Sequence, residues 1–340
     1  MKEKKIFRFC SLALIGVLAF AAGCSKPEPQ EELPGTEVIL DRNMQNGVDV
    51  LGTVSIEDLG KVTYQFRYLD SVPSDAVSLW KLGQWGTKFG LADTGEESQD
   101  GDNYILKDDT KEFIVNPKTG QYSLNCNTQK EYPVPKPYGA DWLHFITIQN
   151  VSDISRISEM ENIWMDLDFS IPYCENLMSE AEFDKDLHTD IFQWVFVVKN
   201  CNPDSFDYNQ YFWMNIPLYD GRSLSDELWK TFKESAFLDY GKEDKSSTFI
   251  YMAPSDGYLT EEGVEVGKRY RITLDLIPYL EKALTTIQQL DENKNSDFPL
   301  LLNTTMDDLC INQFYIGWGG PGAFNCGATI YKNSLLYNKI

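Results

Sequence analysis

Between Asn162 and Ile171 the chain alternates with a period of two: Ile163, Met165, Leu167, Phe169 and Ile171 are apolar, and Trp164, Asp166, Asp168 and Ser170 stand between them. Successive side chains of an extended strand point to opposite faces, so this pattern buries one face and turns the other to water or a ligand. The same reading predicts strands over 193–199, 211–218, 248–253, 268–274, 311–318 and 328–335, with shorter ones over 37–40, 62–68, 113–115 and 122–124. Asn116-Pro117-Lys118-Thr119-Gly120 joins the last two as a hairpin, proline setting the turn and Gly120 free to take positive φ. Helical signals are few. Ser225-Asp226-Glu227 predicts a capped helix running to about Ser235, and Leu276, Leu280, Leu284, Ile287 and Leu290 recur at helical spacing behind Pro278. These are too few crossovers for a parallel sheet, so the expected class is all-β.

Pro133, Pro135 and Pro137 force an extended stretch that cannot pair inside a sheet, and the spacing reads as a domain boundary. Two β-sandwich domains are expected: a small one over 36–132 and a larger one over 133–340, of jelly-roll type with one or two helical insertions. A chain of this length exceeds what one compact core usually serves.

Ahead of these domains stand Lys2, Lys4, Lys5 and Arg8, then an apolar run from Cys10 to Ala22 that is too short for a permanent transmembrane helix. The run closes as Leu18-Ala19-Phe20-Ala21-Ala22-Gly23-Cys24, which resembles the lipobox of bacterial lipoproteins. The resemblance implies a signal peptide over 1–23 and a diacylated Cys24 as the new N-terminus, inserted in membrane lipid. Residues 24–35 are rich in proline and charge and read as a tether, reaching about 30 Å in an extended conformation. Lys26, Glu28, Glu31 and Glu32 resemble the acidic export signal of Bacteroidetes lipoproteins, which implies the outer membrane with the protein facing the cell exterior.

The chain holds 52 Asp and Glu against 30 Lys and Arg, a formal charge of −22. Loss of the leader sheds four cations and a single acid, Glu3, so the mature surface is more acidic still. Such a surface repels polyanions and carries no footprint for nucleic acid. Beyond Cys24 there are Cys126, Cys174, Cys201, Cys310 and Cys326, an odd set without a Cys-x-x-Cys element and with only His144 and His188 to join it. That spacing argues against a zinc cluster. Cys174 with Cys201, or Cys310 with Cys326, are possible disulfides, and buried free thiols are the alternative. Asp93, Glu96, Glu97, Asp100, Asp102 and Asn103 offer oxygen ligands for calcium, but Tyr104 and Lys111 fall where an EF-hand loop starting at Asp100 needs ligands. The segment reads as a solvated acidic loop; apart from calcium there, no cofactor is expected.

Eight Trp, eighteen Tyr and nineteen Phe are a large aromatic supply for a chain this acidic. Sugars present C–H faces that stack on flat rings and hydroxyls that bond to amides, carboxylates and guanidinium groups, so a glycan site needs both kinds of residue together. Three places offer them. Tyr211, Trp213 and Asn215 share one face of a strand that leads to Asp220 and Arg222. Trp318 ends a strand at Gly319-Gly320-Pro321-Gly322, and Trp80 and Trp85 flank Lys81-Leu82-Gly83-Gln84. For each ring the bland reading is burial in a core. Catalytic signals are weak: Asp166, Asp168, Asp220 and Asp275 are candidate paired carboxylates, and there is no Gly-x-Ser-x-Gly elbow, metalloprotease helix motif or phosphate-cradling loop. His144 and His188 read as structural or exposed.

The lipobox, the acidic tether and the succession of β-sandwiches resemble the surface glycan-binding lipoproteins encoded beside outer-membrane sugar importers in Bacteroidetes, and the segment Trp85 to Tyr122 is loosely similar to their small modules. The resemblance is architectural beyond the N-terminus and transfers no ligand residue. It implies a non-catalytic lipoprotein that captures a neutral oligo- or polysaccharide by aromatic stacking, with a sugar importer as partner. Two other readings stay open: a lipid-anchored glycoside hydrolase or lyase of jelly-roll fold, and an adhesin or scaffold that binds another surface protein.

Overall fold

The computed structural model describes residues 33–53, 60–73, 75–240, 247–294 and 301–340. Cys24 and the tether up to residue 32 lie outside these residues. The first strands are β1 (Thr36–Glu37), β2 (Val48–Leu51), β3 (Val62–Phe66) and β4 (Trp80–Gly83), followed by helix α1 (Leu91–Thr94). Next come β5 (Glu96–Asp100), β6 (Asn103–Lys107), β7 (Lys111–Asn116) and β8 (Gln121–Asn127), with α2 (Thr128–Glu131) after them. β9 (Leu143–Asn150), β10 (Met160–Asn176), β11 (Ile191–Asn200), β12 (Tyr211–Asp220), β13 (Ser235–Tyr240), β14 (Ser247–Met252) and β15 (Arg269–Asp275) precede the long helix α3 (Ile277–Lys294). β16 (Leu309–Gly320) and β17 (Phe324–Lys339) complete the order.

The strands form two sheets. One runs β15-β10-β17-β8-β7-β6-β5, with β1 on β17; the other runs β13-β14-β12-β11-β16-β9-β4-β2-β3. β8 pairs with β17, β9 with β16 and β10 with β15, each antiparallel, and the three nested pairs fall alternately in the eight-, nine- and eight-stranded sheet. A two-stranded ribbon wound around itself in this way is a jelly roll. Between the sheets lies one core, to which the eight-stranded sheet sends Phe113, Leu124, Phe169 and Ile330 and the nine-stranded sheet sends Phe145, Trp194, Phe196, Phe212 and Phe314.

The all-β class and the sandwich match the sequence reading, but the expected division at Pro133–Pro137 is corrected. β5–β8 reach the later strands through β8 and β17, and β2–β4 reach them through β4 and β9, so strands from both sides of the prolines share both sheets and the core. The prolines mark the crossing from β8 in one sheet to β9 in the other. An extended, unpaired segment suits that crossing as well as it suits a linker, which is why the sequence misleads here. The crossing is held to the body, Lys136 N–H donating to the Pro321 carbonyl at 3.1 Å.

β10 extends the predicted alternation at both ends, and the 116–120 hairpin forms with Gly120 at φ +77°. α3 follows the predicted leucine spacing, with Leu280, Ala283, Leu284 and Ile287 buried in the core. The helix expected after Ser225 is absent. Asp226 caps a single 3-10 turn by accepting from Leu228 N–H, and the chain then extends as β13 to pair with β14, where ladder hydrogen bonds outweigh a short helix. The acidic segment is α1 followed by β5, an edge hairpin rather than a loop. Neither disulfide raised from the sequence forms: Cys201 bonds Cys310, joining the end of β11 to β16, and Cys126, Cys174 and Cys326 are free and buried.

Candidate functional site

The outer face of the nine-stranded sheet is apolar where an outer sheet face is ordinarily polar. Leu51, Ile146, Ile148, Val195, Val197 and Tyr315 form a second apolar cluster, separate from the core, with Trp85, Tyr211 and Trp213 packed partly buried against it. Strand register arranges this face in rows. The first reads Ile250, Trp213, Val197, Gln313, Asn150 across β14, β12, β11, β16 and β9. The second reads Met252, Asn215, Val195, Tyr315, Ile148, Lys81. Gln193, Gly317, Ile146 and Gly83 make the third, and Gly319 and His144 the fourth. Continued by register, the second row reaches Asp49 beyond Lys81 and the fourth reaches Ile191 and Asp220 beyond Gly319; Asp49 is paired with Arg67 and Asp220 with Arg222.

Trp85 leaves the end of β4 and turns back onto the face because Gly86, at φ +65°, takes a conformation that other residues avoid. His144 N–H donates to the Trp85 carbonyl at 2.8 Å, and Tyr132 OH and Lys136 Nζ both donate to the Gly86 carbonyl. The indole ring meets Tyr315 edge-on at 5.9 Å and the His144 ring at 6.2 Å. Burial pushes the His144 imidazole down to about 4, so it is neutral at physiological pH.

The polar groups of the face are amides. Asn215 Nδ2 donates to Gln193 Oε1 at 3.2 Å, while Asn215 Oδ1 is buried and has no hydrogen-bond partner. A buried unpaired acceptor costs free energy, which a hydroxyl from outside the protein would relieve. Gly319 is packed closely beside these amides: a Cβ there would stand 2.8 Å from His144 Cδ2, 3.1 Å from His144 Nε2 and 3.6 Å from Gln193 Nε2. The loops at both ends add exposed rings, Phe206 and Tyr208 before Tyr211, and Tyr138 and Trp142 before His144.

Of the residues singled out in the sequence, the structure brings together Tyr211, Trp213, Asn215 and Trp85, and sets the others elsewhere. Trp80 and Trp318 are corrections: both are core residues, their indole N–H groups donating to the Asp41 carbonyl at 2.8 Å and the Leu124 carbonyl at 3.1 Å. Asp220 and Arg222 are also corrected. They form a buried ion pair, with Thr189 Oγ1 donating to Asp220 at 2.6 Å and the Arg222 guanidinium 3.3 Å over the Trp229 ring, so their bonding capacity is taken up inside the protein. The sequence reading missed Tyr315, Gln193 and His144 as face residues. Strand parity placed Gln193 with Val195 and Val197, but all ten residues of β11 except Lys199 are buried, and that uniform burial hides the parity.

The other acids are engaged as well. Asp166 meets Arg271 and Lys332, Asp168 meets Arg269, and Asp275 accepts from Ile163 N–H and Ile277 N–H. Burial raises the Asp166 carboxyl, but the hydrogen bonds from Arg271 and Lys332 outweigh it and hold the group below the usual carboxylate range. The calcium candidates do not converge: Asp102 pairs with Lys118, and Glu97 accepts from Tyr64 OH.

Comparison with protein families and with curated proteins finds no match. Among solved structures the chain is similar to a family 12 xyloglucanase from Bacillus licheniformis, at 11% identity and TM-score 0.37 over 72% of this chain and 97% of that one. It is similar to endoglucanase cel12A from Rhodothermus marinus at 9% identity and TM-score 0.37, over 71% and 93% of the two chains. It is also similar to a family 11 xylanase from Neocallimastix patriciarum at 7% identity and TM-score 0.37, over 72% and 96%. At these scores the likenesses carry no argument about site or activity.

Proposed function

We propose that this chain is a surface lipoprotein, anchored through acylated Cys24, that captures a neutral glycan on the outer face of its nine-stranded sheet without cleaving it. One observation carries the reading: Trp213, Tyr211, Trp85 and Tyr315 stand on the same face as the Asn215–Gln193 amide pair. Rings supply stacking surface and amides supply hydrogen bonds, the two demands of a sugar. The net charge of −22 favours a neutral ligand over an acidic one. Hydrolysis of a glycosidic bond calls for two carboxylates about 5 to 9.5 Å apart across the sugar, and the acids these rows reach, Asp49 on β2 and Asp220 on β12, stand on strands separated by four others and are each paired with an arginine.

The mechanism is capture: rings and amides hold the polymer near the membrane, where the lipid anchor and tether keep the protein. Affinity electrophoresis against a panel of neutral polysaccharides, with a parallel assay for new reducing ends, tests it. Retarded migration without new ends is expected. New ends would place the chain among hydrolases, and migration unchanged by every polysaccharide would leave the protein-binding reading in its place.

A further inference from the structure

A second site lies inside the sandwich, away from the aromatic face. Cys126 on β8, Cys326 on β17 and Cys174 on β10 form one cross-strand row, Cys326 standing between the other two in register. Side chains directly opposite in an antiparallel pair share a face. This row faces Asp190, the residue just before β11 in the opposite sheet. Cys126 Sγ lies 3.5 Å from Cys326 Sγ, and Asp190 Oδ2 lies 3.2 Å from Cys326 Sγ and 3.9 Å from Cys126 Sγ. All four residues are buried.

We propose that Cys126, Cys326 and Asp190 form a site for a soft divalent cation, zinc being the ion that fits. Zinc holds sulfur at about 2.3 Å and carboxylate oxygen at about 2.0 to 2.2 Å, which in a tetrahedron sets edges of about 3.8 Å between sulfurs and about 3.5 Å between sulfur and oxygen. The observed separations of 3.5, 3.2 and 3.9 Å lie close to those edges. Thiolate ligands select zinc over calcium or magnesium.

The second observation is the state of Asp190. Its Oδ1 is buried with no hydrogen-bond partner, and the nearby cations are committed elsewhere: Lys111 to Glu131 and Thr110, Arg222 to Asp220. A buried carboxylate without a counter-charge is costly, and a cation between it and the sulfurs supplies that charge. Binding releases a proton from each coordinating thiol as its sulfur–metal bond forms, and it ties β8 and β17 of one sheet to β11 of the other.

The test uses the full chain, purified with thiols reduced and no chelator. Metal analysis is expected to find about one zinc per chain surviving desalting, as structural thiolate sites bind tightly. Cobalt(II) in its place is expected to show an intense thiolate-to-cobalt absorption. C126S is expected to lose both signals. Should C126S fail to fold, the cobalt spectrum of the unaltered chain still decides. A chain that retains no zinc, or binds cobalt without the thiolate band, overturns the proposal. So does a peptide map showing Cys126 and Cys326 joined as a disulfide.

Discussion

The two outer faces of the sandwich are built on opposite rules. On the eight-stranded sheet, acids and bases meet diagonally across neighbouring strands, two residues off register: Asp166 with Arg271 and Lys332, Asp168 with Arg269, whose guanidinium also lies 3.9 Å over the Tyr331 ring. On the nine-stranded sheet the central rows carry rings, branched aliphatics and amides, and Asn215 Oδ1 is left unpaired. The first face pairs its charges within itself, although the Trp164 indole N–H on it is buried without a partner. The second leaves apolar area and a hydrogen-bond acceptor unused, which is what a sugar-binding surface requires. One scaffold thus separates the face that stabilises from the face that recognises.

Substitutions on the two faces should therefore separate stability from binding. The largest effect is expected at Asp166→Ala, which strands Arg271 and Lys332 beside a buried position. Loss of one partner of a buried pair costs about 3 kcal/mol, read as a lowered denaturant midpoint, while glycan retardation persists under conditions where the variant is folded. Next is Trp213→Ala on the other face. Glycan binding is expected to weaken about 30-fold, an anchor-residue loss of about 2 kcal/mol, while thermal stability changes little because the ring is only partly buried. A variant that unfolded the protein without a separable binding defect would break the contrast.

Gly319→Val sharpens it further. The added side chain collides with the His144 ring and pushes it out of place beside Gln193, and binding is expected to fall about tenfold, measured by the same electrophoresis. A pH dependence is expected as well. His144 has its folded pKa pushed down to about 4 from an unfolded 6.5, so the unfolded chain takes up the proton first. Its neutral form is accommodated above pH 6.5, and stability declines as pH falls from about 6.5 to about 4. Asp166, held below its ordinary range, adds a loss only at lower pH, as the carboxyl protonates. His144→Gln is expected to flatten the upper part of the stability profile followed by circular dichroism, leaving the lower part.

What could be read from the sequence follows the same division. β10 was legible because one face is core and the other carries ion-paired acids, so the period of two is sharp. β9 was not, because Phe145 and Thr147 enter the core while Ile146 and Ile148 cover the outer face, leaving no polar alternation to read. An apolar outer face therefore hid both the strand and the site. Trp80 and Trp85 are five residues apart in one glycine-bearing segment, and only the turn at Gly86 sends the second back over the sheet. Tyr211, Trp213 and Asn215 were found because parity along one strand suffices to group them. Their partners Tyr315 and Gln193 come from strands distant in sequence, joined by register alone.

Titrating the full chain with a soluble neutral polysaccharide, beside a variant carrying both Trp213→Ala and Trp85→Ala and a control carrying Asp168→Ala, tests the central claim most directly, with intrinsic fluorescence as the readout. The unaltered chain and the control should show the same saturable change, and the double variant, still folded by circular dichroism, should show none. Equal binding by all three proteins, or a double variant that binds while the control does not, would contradict the assignment of recognition to the nine-stranded face.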